Sequence, residues 1–153
     1  MTSDPRFVLD TGVLISAALL PRSIPRRAVD LAFAQGTVLA SVDTIDELDR
    51  VLRRPKFDRY LREEERLLFL AAFIRYAKIV GVVEKLTECR DPKDNKFLEL
   101  AVSGNATSII SGDNDLLILN PFCGVTILTP QQFVSESERG VAQRDAQADQ
   151  QPH

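Results

Sequence analysis

"RFVLDTGVLISAALL", residues 6–20, decides how the rest of the chain is read. Phe7-Val8-Leu9 is short, apolar and β-prone, as a buried strand is. It stops on an acid, Asp10, before the apolar pattern resumes. A charge suits neither a core strand nor a core helix, but it suits the lip of a cleft at a strand's carboxyl end. Residues 11–20 then read as a helix with Val13, Leu14, Ala17 and Ala18 on one face. The stretch is therefore the first strand and first helix of an α/β unit, with an acid at the junction.

The pattern repeats along the chain. Pro25 suits a first helical turn, and "PRRAVDLAFAQG" runs as an amphipathic helix to a cap at Gly36. "TVLAS", 37–41, is a second strand. Ser41 caps the helix "VDTIDELDRVLRRP", which Pro55 ends. Residues 61–77 form a long helix, and "KIVGVV", 78–83, a third strand. "DPKDNKFLELAVSGNA" is a helix with Pro92 at its first position, followed by strands at 107–111 and 124–130. Alternating strands and helices imply a parallel sheet covered on both faces, with any site beyond the carboxyl ends of its strands. The polar tail from Ser135 has almost no large apolar groups and is expected to be disordered.

The 153 residues suit one domain with a sizeable core. A net charge of −3 argues against bulk nucleic-acid binding and requires any such contact to use a local basic patch. Cys89 and Cys123 form no disulfide framework and read as reduced thiols of a cytoplasmic protein. Segment 7–20 has an apolar run, but Asp10 interrupts it and Pro21-Arg22 stands where a signal-peptide cleavage site belongs. No stretch approaches the roughly 20 apolar residues of a membrane span. The single histidine, His153, is the last residue, which argues against Ser-His and Cys-His triads and against zinc. Catalysis would have to come from carboxylates, from lysine or arginine, or from a hard metal held by oxygen.

The acids fall where that chemistry needs them. Asp10 follows the first strand, Asp113 and Asp115 follow the fourth, and Asp91 and Asp94 open the helix feeding the fourth. Glu47 lies on the helix after the second strand, off the apolar stripe of Ile45, Leu48, Val51 and Leu52. Each acid also has a structural reading. Asp10, Asp91 and Asp113 are helix caps, Asp94 is a first-turn acid favoured by the dipole, and Glu47 is a surface residue. Taken together, Asp10, Glu47, Asp94 and Asp113 would meet at one sheet edge, where their mutual repulsion calls for a divalent cation. Mg²⁺ or Mn²⁺ takes oxygen ligands and serves phosphodiester hydrolysis without histidine.

"VLDTGVLISAAL", "SVDTIDELDRVLRRPKF", "DPKDNKFLELAVSGNA" and "IISGDNDLL" stand in the order and approximate spacing of the PIN domain, which the chain resembles from about Phe7 to Val134. It looks most like the subgroup described as toxin components of toxin–antitoxin systems. The resemblance implies a three-layer α/β/α fold with a parallel sheet of four to five strands over residues 1–134, residues 135–153 being the polar tail. It implies a metal-dependent endoribonuclease with Asp10, Glu47, Asp94 and Asp113 as the acidic set and Asp115 as an additional metal-side acid. Thr11 and Ser111 match small hydroxyl residues that orient the site, and Asp91 matches an acid kept as a cap or supporting group. Gly12 departs from the asparagine or serine of many members. The resemblance further implies a cognate antitoxin that blocks the cleft, and a homodimer, for which "LLFLAAFI", 67–74, offers apolar surface unless it is core.

For RNA, "RVLRRPKFDRYLR" sets Arg53, Arg54 and Lys56 beside the aromatics Phe57 and Tyr60, while Lys93 and Lys96 flank Asp94. Cations with aromatic faces suit a single strand; the same strip also reads as a solvated, salt-bridged surface. Two rival functions remain open. A haloacid-dehalogenase-type phosphatase places a second aspartate two residues after its nucleophile, where this chain has Gly12. A non-catalytic RNA- or protein-binding regulatory module would need no metal.

Overall fold

The structure is a computed structural model and describes residues 4–83, 86 and 92–149. Five parallel strands form one sheet in the order β3-β2-β1-β4-β5. These are β1 (Arg6–Leu9), β2 (Thr37–Ala40), β3 (Lys78–Ile79), β4 (Ser108–Ile110) and β5 (Thr126–Leu128). The helices are α1 (Thr11–Leu19), α2 (Ile24–Gln35), α3 (Val42–Leu52), α4 (Glu63–Tyr76), α5 (Asn95–Ser103), α6 (Asn114–Leu117) and α7 (Pro130–Asp149). The fold is the expected α/β class.

Strand alternation splits the core in two. Phe7 and Leu9 of β1 point with Val38, Ala40, Ile110 and Leu128 to one face, where α1, α2, α3, α4 and the start of α7 pack. Val8 points with Leu39, Ile109 and Ile127 to the other, against Phe97, Leu98, Leu100 and Ala101 of α5 and Leu116 of α6. A period of two thus gives each strand two buried faces, so the strands read as continuous apolar runs.

Local signals set most of the boundaries. Ser23 caps α2 through the Arg26 N–H, and Ser41 and Thr44 form a reciprocal capping box at α3. Gly36 is required by close approach: a Cβ there would lie 2.0 Å from the Pro5 carbonyl oxygen.

Several elements differ from expectation. β3 spans two residues rather than 78–83. The helix after β2 ends at Leu52, and a 3₁₀ turn at Pro55–Phe57 follows, because Pro55 has no N–H to continue it. Pro92–Asp94 is a 3₁₀ turn preceding α5; Asp91 and Cys89, like His153, lie outside the described residues. Of the segment expected to be disordered from Ser135, residues 135–149 lie within α7. Thr129 and Gln132 cap that helix reciprocally, and Phe133 and Val134 bury at its start, the Phe133 ring edge-on to Phe7 at 5.1 Å. Beyond that anchor its Glu, Arg, Ala and Gln residues are good helix formers, so polarity without a core does not prevent the helix. Segment 67–74 is divided: Leu70 and Phe73 are core, whereas Leu68 and Ile74 are exposed.

Candidate metal centre

The strand order reverses between β1 and β4, since β2 and β3 lie to one side of β1 and β4 and β5 to the other. Open parallel sheets leave a crevice beyond the strand carboxyl ends at such a point. A cleft of about 500 Å³ lies there, lined by Asp10, Thr11, Glu47, Lys93, Asp94, Phe97 and Asp113 among others.

Each acid arrives by a separate element. Asp10 ends β1 and caps α1, its Oδ1 accepting from the Val13 N–H at 2.8 Å. Its Oδ2 accepts from the Ser111 hydroxyl. Ser111 is fully buried after β4, and its Oγ accepts in turn from the Asp113 N–H at 2.9 Å. That hydroxyl therefore ties the ends of two adjacent strands together. Asp113 caps α6, its Oδ1 accepting from the Asp115 N–H at 2.8 Å. Asp94 stands at the head of α5, only 9% exposed. Glu47 reaches in from α3, and Lys96 of α5 donates to its Oε2.

Asp94, Asp113 and Asp115 each present a carboxylate oxygen within 4.8 Å of the others. An all-oxygen donor set of this spread fits a hard divalent cation with ligands at about 2.1 Å. Asp10 lies outside that triad but lines the same cleft. Burial pushes the Asp10 carboxyl above its ordinary value. The Ser111 hydroxyl and the Val13 and Gly112 N–H groups pull it back down, while the charge of Asp113 adds to the rise.

Of the residues expected at the site, Asp10, Thr11, Glu47, Lys93, Asp94 and Asp113 line the cleft, Asp115 joins its acidic triad, and Ser111 braces Asp10 from within the core. Lys96, expected beside a phosphate, is held by Glu47. Arg53, Arg54 and Lys56 do not line the cleft; they follow α3, where Arg53 pairs with Asp49 at 2.9 Å and Lys56 lies over the Phe57 ring. Two features escaped the sequence reading. The Glu47–Lys96 pair joins residues 49 apart, beyond any local spacing rule. Arg66 is fully buried and donates to the carbonyls of Leu52, at 2.7 Å, and Leu61, and to Asp58 Oδ1 at 3.0 Å.

The family model of the PIN domain matches residues 6–115. The uncharacterized protein MJ1680 of Methanocaldococcus jannaschii is 33% identical over 147 residues, 90% of this chain and 94% of that protein. Similar solved folds include VapBC2 from Rickettsia felis bound to a DNA fragment from their promoter (TM-score 0.58, 13% identity, 81% of this chain and 98% of that one). PAE2754 from Pyrobaculum aerophilum aligns with TM-score 0.57 at 15% identity, over 88% and 90% of the two chains. Mycobacterium tuberculosis VapC20, described as a Sarcin-Ricin loop cleaving toxin, aligns with TM-score 0.51 at 12% identity, over 78% and 98%. With its motifs, its sheet order and its acidic cleft, this chain belongs to the PIN domain family, whose members are typically nucleases.

Proposed function

We propose that this protein is a cytoplasmic, metal-dependent endoribonuclease and the toxin of a toxin–antitoxin pair. The observation that carries the reading is the convergence of the Asp94, Asp113 and Asp115 carboxylates beside a cleft that Asp10, Glu47, Asp94 and Asp113 line. The description of VapC20 as a cleaving toxin supports the choice of RNA.

In this reading Asp94, Asp113 and Asp115 hold Mg²⁺ or Mn²⁺, with Asp10 contributing from the cleft floor. The ion, when bound, supplies positive charge that activates water and stabilises the departing oxygen. Asp10 is kept in register by Ser111 and by the Val13 N–H, so it costs little reorganisation. Thr11, buried beside Asp10, shapes the wall, and Asp91 is kept as a supporting acid. Glu47 orients the attacking water. Arg53, Arg54, Lys56 and Lys93 meet RNA phosphates, and Tyr60, 53% exposed, offers a stacking face. Lys96 joins that set only where its pair with Glu47 opens. An antitoxin would act by covering the cleft, and the exposed side of α4 (Leu68, Ile74 and Tyr76) suits a second copy.

The test is cleavage of a labelled single-stranded RNA by the purified protein, with Mn²⁺ and with EDTA, alongside Asp94→Asn. Mn²⁺-dependent cutting that falls at least about 100-fold in the variant is expected. Cutting that survives both EDTA and the substitution overturns the assignment. Failure to cut together with failure to bind Mn²⁺ favours a non-catalytic binding module.

A further inference from the structure

Glu47 and Lys96 come from helices on opposite faces of the sheet. α3 packs through Leu48 and Leu52 into one core layer, and α5 through Phe97, Leu98 and Leu100 into the other. Their side chains meet over the sheet's carboxyl edge and are only 16% and 22% exposed. This differs from the exposed one-turn pairs Arg26–Asp30 and Arg53–Asp49. Those add little stability, whereas a pair in this position closes one side of the cleft. Lys96 lies in the first turn of α5, between the buried Asp94 and Phe97.

The pair has a consequence for the acids. Glu47 lines the cleft yet is not part of the group whose carboxylate oxygens fall within 4.8 Å of one another. Lys96 engages its Oε2 instead. We propose that Lys96 is a positioning residue: by pairing with Glu47 it holds that carboxylate out of the Asp94–Asp113–Asp115 cluster. The metal is then left to the aspartates, and Glu47 to water. The inference rests on the metal-dependent reading above. Removing the ammonium takes away a cation that repels the metal and frees a further carboxylate to chelate it. Lys96→Gln therefore binds metal more tightly while cutting RNA more slowly.

The experiment titrates Mn²⁺ calorimetrically into the RNA-free wild type and into Lys96→Gln, Lys96→Arg, Glu47→Gln and the Glu47→Gln/Lys96→Gln double variant. RNA cleavage is measured on the same proteins. Lys96→Gln is expected to bind Mn²⁺ about five-fold tighter, the size of one charge interaction in a partly solvated site. Its kcat falls about ten-fold with KM little changed, as for loss of an interaction used only in the transition state. Lys96→Arg retains wild-type behaviour. In the double variant the gain in affinity shrinks, because the freed carboxylate is gone. Unchanged or weaker Mn²⁺ binding by Lys96→Gln, in a protein whose wild type binds the ion, overturns this inference and leaves the metal reading standing. So does a raised KM with a shallower salt dependence, which marks Lys96 as a phosphate contact. A wild type that takes up no Mn²⁺ overturns both readings.

Discussion

At the scale of single residues, the cap reading and the site reading of Asp10 describe one geometry. Its Oδ1 satisfies an orphan N–H of α1, while Oδ2 meets Ser111. Because burial raises its folded-state value, the unfolded chain ionises Asp10 more readily than the folded one does. The ionised form thus weakens the fold at neutral pH. That penalty disappears as pH falls through the folded-state value toward the ordinary aspartate range. In EDTA, Asp10→Asn, which keeps a good cap, is expected to melt a few degrees above wild type at pH 7, with the gap closing on acidification. A lower melting temperature at pH 7 would show that the charge stabilises the fold. Ser111→Ala leaves both Asp10 Oδ2 and the Asp113 N–H short of a partner. It should cost about 2 kcal/mol in urea unfolding, the penalty of unsatisfied buried polar groups; a loss below about 0.5 kcal/mol would mean that the brace is dispensable.

At the scale of elements, the segment between α3 and α4 is held by a cation. Arg66 sits in the first turns of α4 with no exposure, and it satisfies carbonyls at the end of α3 and at Leu61. Its carboxylate partner Asp58 is 63% exposed, so the arginine's main task is to supply donors to a backbone that no strand or helix satisfies. Arg66→Met is expected to cost about 2–4 kcal/mol in urea unfolding, since buried carbonyls lose their donors. Limited trypsin digestion should then cut faster at Arg53 and Lys56 than elsewhere. Uniform sensitivity would show that Arg66 supports the whole fold and not this segment. An arginine between "REEE" and "LLFL" looks like one more surface charge in the sequence, because the groups it serves are carbonyls, which every residue carries.

At the scale of the whole molecule, the acidic cleft is a point where stability is given up. Asp10 and Asp94 are buried beside Asp113 and Asp115 at the seam between two core layers. A bound cation should repay that repulsion. Mn²⁺ at about 100 times its dissociation constant adds about 2.7 kcal/mol by mass action, or roughly 5–10 °C in Tm for a chain of this size. EDTA should reverse the shift. A melting temperature indifferent to Mn²⁺ up to millimolar concentrations would remove the metal site.

Strand and helix periodicity, capping residues and prolines act locally, and from them follow the α/β class, the order of elements and the placing of Asp10, Asp94 and Asp113 at element ends. Those signals suffice because a parallel strand buried on both faces must be apolar until it leaves the sheet, so an acid marks its exit. Tertiary structure alone decided the rest. It stopped β3 at Ile79 and carried α7 on to Asp149 in a stretch whose polarity suggested disorder. It also set Lys96 on Glu47, 49 residues away, and sank Arg66 among carbonyls. Each of these depends on which segments become neighbours when the sheet closes, and pairwise contacts between distant residues leave no period along the chain.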